Sequence, residues 1–581
     1  MKEHMKKLYR KGLAAFLSLT LLFSVSSCDI FDLDVNTDPN NPSEAAVDLL
    51  LANVLSDMSS SLAGGFNGTS TGFMAQTTAS DDFNFSNASW NGTWNFLYSG
   101  PLKDLNELVL AAEAQGNNPR YLGIGQVLKA YYFSTMVDFF GDVPYTEAFQ
   151  GDADSPIKEP AYDDDAAIYA DCLSLLDKAI ANFALTSTVA VKGDLIYNGN
   201  MTRWRKLAKT MKLRLLLQTR NVSDVAGQIQ ALVTEGDLIT SSADDFQYEF
   251  PTAITPDFRH PWYQAAYAGG EAGFSYFGHQ FMYEMLLNGD PRFPFYFHRQ
   301  TTNVLNPDDP TDKQTIPCSQ RTDCTYGYFV LNPNITNALF GSDPDGLSSS
   351  EEAYLAGIFG RDRADPSGIP NDNPIRTIPG SYPSGGVFDA TAGSGGGNRG
   401  SSVGFFPMLT SWMTKFYLLE ASITLGTDIS KVAASETALL NSALTDQMNK
   451  VWDFGSRGQS VAADESTWGT VYSWPVTFKT RAALRAEVIA AYPTGGTPNA
   501  RLAYVLKQAW FANFGNGIEQ YNAFRRTGLP ADIQTPLQLP RQFALRFPYA
   551  QDELNLNSKT PVIIYDNPSA AVFWDTLKFQ F

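Results

Sequence analysis

The run NNPRYLGIGQVLKAYYFSTMVDFFGDVPYTEAF, residues 117–149, decides the fold class. Ile124, Val127, Leu128, Tyr131, Tyr132, Thr135, Met136 and Phe139 recur at offsets of 3, 4, 7, 8, 11, 12 and 15 from the first. One face of a helix therefore carries large side chains that must be buried. Asn118 stands at the N-cap position with Pro119 at the first helical residue, and Gly141 followed by Pro144 supplies the stop. Gly123 and Gly125 leave room for a neighbouring backbone. Such a stretch is packing rather than chemistry, and it requires partner helices.

Those partners flank it. SEAAVDLLLANVLSDMSSSL from Ser43 and the run from Trp94 to Ala114 read as helical, as do Ile168, Cys172, Leu175, Leu176, Ala179, Ile180 and Phe183, and then Trp204, Leu207, Ala208, Met211 and Leu215. Helices resume from Thr410 to Leu425, from Ser435 to Trp452 and from Arg501 to Phe514. Amphipathic helices that cannot bury their stripes alone point to stacked pairs of the tetratricopeptide sort, although no clean repeat of about 34 residues is present. Between Ser223 and Pro407 Gly, Pro, Ser, Asn and aromatic residues dominate, the composition of long loops, where binding function concentrates.

The end of the opening helix, Asp138-Phe139-Phe140-Gly141-Asp142-Val143-Pro144-Tyr145 and then Glu147-Ala148, resembles the SusD/RagB family of lipid-anchored nutrient-binding proteins of the Bacteroidetes outer membrane. Further resemblances follow in order: Leu33 to Asn40, Asp194 to Asn200 with Trp204, and Asp290-Pro291-Arg292-Phe293 with Tyr296-Phe297. The most specific is Gly517-Ile518-Glu519-Gln520-Tyr521-Asn522-Ala523-Phe524-Arg525-Arg526-Thr527-Gly528-Leu529-Pro530, continued by Phe547-Pro548-Tyr549 and Val572-Phe573-Trp574-Asp575. It is weakest between Pro251 and Pro407. For Arg525 and Arg526 two readings stand: anion binding, or pairing with Glu519 and capping of helix carbonyls.

The resemblance implies a mainly α, SusD-like fold. Tetratricopeptide-like helical pairs form its scaffold over about 43–222 and 408–530, and a loop-rich ligand region fills about 223–407 of a single domain spanning 43–581. It implies a surface-exposed receptor that binds a nutrient, a glycan or, as in RagB-like members, a peptide, and delivers it to a SusC-like TonB-dependent barrel transporter. A helical adhesin or scaffold lipoprotein is the rival from another class.

At the N-terminus Lys2, Lys6, Lys7, Arg10 and Lys11 precede the apolar run Leu13 to Val25, which is too short to span a bilayer comfortably and reads as a secretory leader over 1–27. Val25-Ser26-Ser27-Cys28 resembles a bacterial lipobox, which implies acylation of Cys28 and tethering to the outer membrane at the cell surface. Each buried CH₂ of an acyl chain contributes about 0.8 kcal/mol, so several chains together anchor stably. Asp29, Asp32, Asp34 and Asp38 make 28–42 an acidic tether, resembling the surface-export signal of such lipoproteins.

Formal charge is −19, and the leader carries five basic residues and one acidic, a net +4, so the chain from Cys28 carries −23. That disfavours nucleic acid, whose phosphates need a basic footprint. With 44% hydrophobic residues the chain can bury a large core. Cys172 falls in a helical stripe as a buried thiol; Cys318 and Cys324 either close a short loop disulfide or stay unpaired, and lack the neighbours zinc would need. His260, His279 and His298 have no metal spacing, and Gly393 to Gly400 lacks the GK[ST] ending of a phosphate loop. With no GxSxG either, the chain reads as a binding protein without catalytic residues, metal or cofactor.

A sugar site needs aromatic faces for pyranose C–H surfaces beside amides and carboxylates for hydroxyls. Asp82, Phe83, Asn84, Phe85, Trp90 and Asn91 offer that mixture ahead of a helix, where SusD-like proteins place some ligand residues, while Trp94 is assigned to the core. Trp262, Tyr263, Tyr267 and Tyr276 form the second candidate surface. For each aromatic the alternative is packing of loop onto scaffold or contact with the transporter.

Overall fold

The computed structural model describes residues 46–78, 86–116, 118–151, 155–268, 274–300, 357–358, 360–365, 376–391, 399–472, 474, 476–537, 543–564 and 567–578. The fold is mainly α. The decisive stretch forms one helix, Pro119–Phe140, closed by Gly141 at φ 69°. Asn118 accepts the Leu122 N–H on its carbonyl at 3.0 Å, but its side chain turns to Gln115 instead of capping. Both glycines serve close approach: a Cβ on Gly123 would lie 2.6 Å from the Phe183 ring, and one on Gly125 2.8 Å from Val109.

Helix Pro119–Phe140 thus packs between Asp165–Ala184 and Pro101–Ala114, and these pack in turn on Met201–Gln218 and Val47–Ser61. Downstream, Ser411–Leu425 packs on Glu436–Gly455, on Pro498–Ala512 and on Met201–Gln218, so the late helices close onto the early ones. The strands are short antiparallel pairs, of which Phe246–Glu249 with Phe405–Leu409 is the longest described; it clips the two edges of the loop-rich stretch together.

Two sequence expectations change. The run Trp94 to Ala114 is two helices, Asn91–Ser99 and Pro101–Ala114, broken at Gly100 with φ −115° and ψ −107°. Pro101 has no N–H to donate and pushes the residue before it out of the helical region. Ala226–Glu235 and His279–Leu287 are helices within the stretch read as loop-built; each is short and flanked by Gly, which hides its period.

The C-terminal motif forms helix Gly517–Thr527, with the Asn516 side chain accepting the Glu519 N–H at 3.2 Å and Gly528 at φ 71° ending it. Gly517 lets the helix cross Asn67–Phe73, since a Cβ there would sit 2.5 Å from the Thr71 nitrogen. Neither arginine is available to a ligand anion. Arg525 donates to the carbonyls of Leu545 at 2.8 Å and Asp138 at 2.6 Å. Arg526 pairs with Glu420, not Glu519, through Nε at 2.7 Å and Nη2 at 2.8 Å. Glu519 is taken by Arg214 Nε at 2.7 Å and by the Tyr417 hydroxyl.

At the centre lies Asp138, fully buried on the decisive helix. Its Oδ1 accepts from Tyr169 Oη at 2.7 Å and Trp574 Nε1 at 3.1 Å, and its Oδ2 from Asn522 Nδ2 at 2.8 Å and Arg214 Nη2 at 3.2 Å. Removing one partner of a buried pair strands the others' charge and donors. Asp138→Ala is expected to lower unfolding free energy by about 3–5 kcal/mol in urea titration; an unchanged midpoint would show that water replaces the carboxylate without cost.

Candidate functional site

Of the first candidate surface, Asp82, Phe83, Asn84 and Phe85 lie outside the described residues, as do Cys28, Cys318 and Cys324. Trp90 and Asn91 are described, and both are engaged within the protein. The Trp90 indole is buried and stacked on Phe547, ring centroids 4.2 Å apart at 29°, with Phe140 edge-on at 5.7 Å. Asn91 Nδ2 donates to Asp552 Oδ1 at 2.9 Å while its Oδ1 accepts the Asp552 N–H at 3.1 Å. Trp94 is in the core, as read.

The second candidate surface is also internal. Trp262 packs edge-on against Phe274 and Phe514, and Tyr263 stacks on Tyr267 at 4.9 Å and 18°. The Tyr263 hydroxyl donates to the Arg399 carbonyl at 2.9 Å, and that of Tyr267 to the Pro379 carbonyl at 2.6 Å. Tyr276 lies under the Arg376 guanidinium, 4.2 Å from its ring centroid. All four are buried, so the ring faces seen here are turned to the protein, and these residues position loops on the scaffold. His260 is fully buried; desolvation pushes its pKa down to about 3, and the neutral Nδ1 accepts the Trp262 N–H at 3.1 Å.

An open groove with a cavity volume of about 260 Å³ lies one helical turn beyond Trp90, lined among others by Trp94, Tyr98, Lys103, Pro144, Phe149 and Glu553. Helix Asn91–Ser99 supplies Trp94 and Tyr98, the turn after Pro119–Phe140 supplies Pro144 and Phe149, and helix Gln551–Leu556 supplies Glu553. Tyr98 donates its hydroxyl to the Pro144 carbonyl at 2.9 Å, which fixes the ring. Phe149 lies near parallel to it, centroids 6.0 Å apart at 29°. Its φ of 62° is a left-handed conformation that costs a side-chain-bearing residue roughly 1–2 kcal/mol. Glu553 accepts from the Tyr162 hydroxyl at 3.1 Å on Oε2, and burial with that carboxylate alongside raises the Tyr162 pKa so that it stays a donor. The sequence reading gave Trp94 to the core and Pro144 to the helix stop, and placed neither Tyr98 nor Phe149 in a site. The available signal was Phe149 itself, an aromatic just past the turn and outside the helical period.

Near the groove, Asp142, Asp164 and Asp165 bring carboxylate oxygens within 4.8 Å of one another. Each serves the turn: Asp142 Oδ1 accepts the Asp165 N–H at 3.0 Å, Asp164 Oδ1 caps Ala167 at 2.9 Å, and Asp165 Oδ2 accepts the Phe573 N–H at 2.9 Å.

Comparison with known proteins follows the same line. A SusD-like family model described as "Starch-binding associating with outer membrane" matches residues 39–312. A chitin-binding SusD homolog from Flavobacterium johnsoniae matches with TM-score 0.61 at 17% identity, over 92% of this chain and all of that one. A SusD/RagB family protein from Bacteroides thetaiotaomicron VPI-5482 matches at 0.61 and 18%, over 92% and 99%. A SusD homolog from Bacteroides fragilis NCTC 9343 matches at 0.59 and 18%, over 92% and 99%. At these identities the solved structures speak for the fold. No curated protein matches the sequence. Residues 39–312 thus match a SusD-like family model, and over nine-tenths of its length the chain has the fold of SusD homologues.

Burial, aided by the charges of Asp142 and Asp164 and opposed by the Phe573 N–H bond, raises the Asp165 pKa to about 6, above the usual carboxyl value. A raised folded pKa penalises the charged form, so the penalty is absent below about pH 4, grows as pH rises and is complete above about pH 6. Asp165→Asn keeps an oxygen for Phe573 and is expected to stabilise the protein at pH 7 by roughly 2 kcal/mol. Denaturant titrations across pH should show the gain vanishing near pH 4; a pH-independent difference would refute the assignment.

Proposed function

We propose that this protein is a surface-exposed nutrient receptor of the glycan-binding kind, anchored through an acylated Cys28, that passes its ligand to a SusC-like TonB-dependent barrel in the outer membrane. The observation that carries the reading is the family model described as starch-binding over 39–312 together with a SusD-like fold over 92% of the chain. Residues 1–27 are the leader, 28–42 the tether and 43–581 one receptor domain. No described helix is long and apolar enough to cross a membrane.

The mechanism is capture and release without covalent chemistry. Asp82, Phe83, Asn84 and Phe85 contact the ligand, while Trp90 and Asn91 are engaged with Phe547 and Asp552. Trp262, Tyr263, Tyr267 and Tyr276 hold the loops of the second surface in the same way. Such an arrangement concentrates recognition in side chains carried by loops on a rigid support.

The full-length chain in detergent, titrated calorimetrically with maltoheptaose, chitohexaose and a pool of short peptides, should bind an oligosaccharide saturably. Phe85→Ala should weaken that binding about tenfold, the range of one lost aromatic contact. A tagged chain should also retain a large barrel transporter from solubilised outer membranes. Binding of peptides alone would move the cargo to that class, and binding of neither ligand nor barrel would overturn the reading.

A further inference from the structure

The early helical layer exposes apolar side chains at both of its ends. Its antiparallel order fixes which residues share an end. Asn53 Nδ2 reaches Asp104 at 2.6 Å, a Cβ on Gly125 would lie 2.8 Å from Val109, and one on Gly123 2.6 Å from Phe183. Leu49 near the start of Val47–Ser61, Leu110 near the end of Pro101–Ala114 and Leu185 just past Asp165–Ala184 therefore lie at one end. Gly193, packed directly on the Asp48 carbonyl, brings Leu195 to the same place. All four leucines are more than half exposed. At the other end Leu556, Val562 and Ile564 are exposed, where Tyr162 pairs with Pro144 beyond Phe140 and Asn557 Nδ2 donates to the Pro160 carbonyl at 2.9 Å.

Single exposed leucines are ordinary on a protein surface, so apolar exposure alone selects no partner. Connectivity and charge separate the two ends. The described chain begins at Ala46, at the end that carries the four leucines, and at most about 60 Å of chain separates that residue from Cys28. The opposite end is farther by the length of Pro119–Phe140, 22 residues or about 33 Å. Around the leucines Asp48, Glu107 and Glu113 stand against Arg120 and Lys192, close to neutral on a chain that carries −19. At the other end Glu147, Glu159, Asp163 and Glu553 outnumber Lys158 and Lys559. An anionic lipid surface repels that second end more than the first.

We propose that the end bearing Leu49, Leu110, Leu185 and Leu195 rests on the lipid bilayer, its leucines entering the boundary between headgroups and acyl chains as in a peripheral membrane protein. This rests on the reading of Cys28 as acylated and adds an orientation to it, with the turn after Phe140 at the end farther from the membrane. A single acyl chain holds a protein only marginally, and an apolar footprint beside the tether strengthens that hold. Tether and footprint are two attachments on one chain, and the first makes the second intramolecular.

The test reconstitutes the full-length acylated chain in vesicles of phosphatidylethanolamine and phosphatidylglycerol, with a nitrobenzoxadiazole dye on Leu195→Cys or on Val562→Cys and nitroxide-bearing lipid as the quencher. The parent chain, labelled in parallel, subtracts dye taken by its own cysteines, and its flotation with the vesicles checks the anchor. The dye at 195 should lose about twice as large a share of its fluorescence as the dye at 562. Adding Leu49→Ser and Leu185→Ser should cut the quenching at 195 by roughly half. Both substitutions fall on exposed side chains, so the urea midpoint of the double variant should match that of the parent. Equal quenching at the two positions, or more at 562, overturns the footprint and leaves the anchor standing. A dye at 195 that stays unquenched in vesicles but is shielded after a solubilised outer-membrane barrel fraction is co-reconstituted assigns this end to a transporter and overturns the bilayer contact. Failure of the parent chain to float overturns the anchor and the footprint together.

Discussion

A carboxylate with no water around it constrains this protein more than any apolar contact. Asp138 is 0% exposed, and a buried charge persists only where its oxygens are matched by donors. Its donors come from four places: Tyr169 and Arg214 on the next two long helices, Asn522 on the C-terminal helix and Trp574 close to the end of the chain. The bonds from Asn522 and Trp574 form only when the first and last parts of the sequence have come together. The Asp138 carbonyl, taken by Arg525, ties the same turn to the residues before Phe547, whose N–H in turn bonds the Phe139 carbonyl at 2.6 Å. Helix Pro119–Phe140 therefore ends where it does because its last turn is the junction of the molecule.

A second charged cluster repeats the logic one layer away. Glu420 receives Arg526 bidentately and Arg220 at 3.1 Å, and those guanidinium groups hold its carboxyl below the usual range despite burial. Together the clusters lock Met201–Gln218, Ser411–Leu425 and Gly517–Thr527 in one register. Salt bridges buried this deeply contribute specificity of arrangement as much as stability, since each half is costly without the other. A support fixed in this way can carry long, compositionally free loops without losing its shape.

How much of this was legible in the sequence depended on the kind of signal. The helical period from Ile124 to Phe139 and the close-approach glycines at 123 and 125 were readable because each follows from local geometry. Asp194, quoted in the sequence only within a family resemblance, gathers the N–H groups of Ile196, Tyr197 and Gly199 and the Trp204 indole into one turn. The break at Gly100 was also local and was missed only because the apolar stripe continues across it. By contrast, that Arg526 pairs with Glu420 and not with Glu519 turns on a partner 106 residues away, which no spacing rule selects. The ring environment of Trp90, made by Phe140 and Phe547, is likewise a product of distant packing.

Aromatic composition is for the same reason a poor guide to a binding surface in this chain. With 13% aromatic residues, most rings must pack against one another, and Trp262, Tyr263, Tyr267 and Tyr276 do so. A ring that serves the core gains from burial and sits in relaxed backbone, whereas one that serves a ligand is left partly exposed and has no folding benefit to offset strain. Phe149, partly buried against the core and stacked on Tyr98, differs from those four rings in its left-handed backbone. Exposure and backbone cost together separate it from the buried rings, where residue type alone does not. The turn that the decisive helix runs into thus has two faces, one fastening the fold through Asp138 and the other opening on solvent through Phe149.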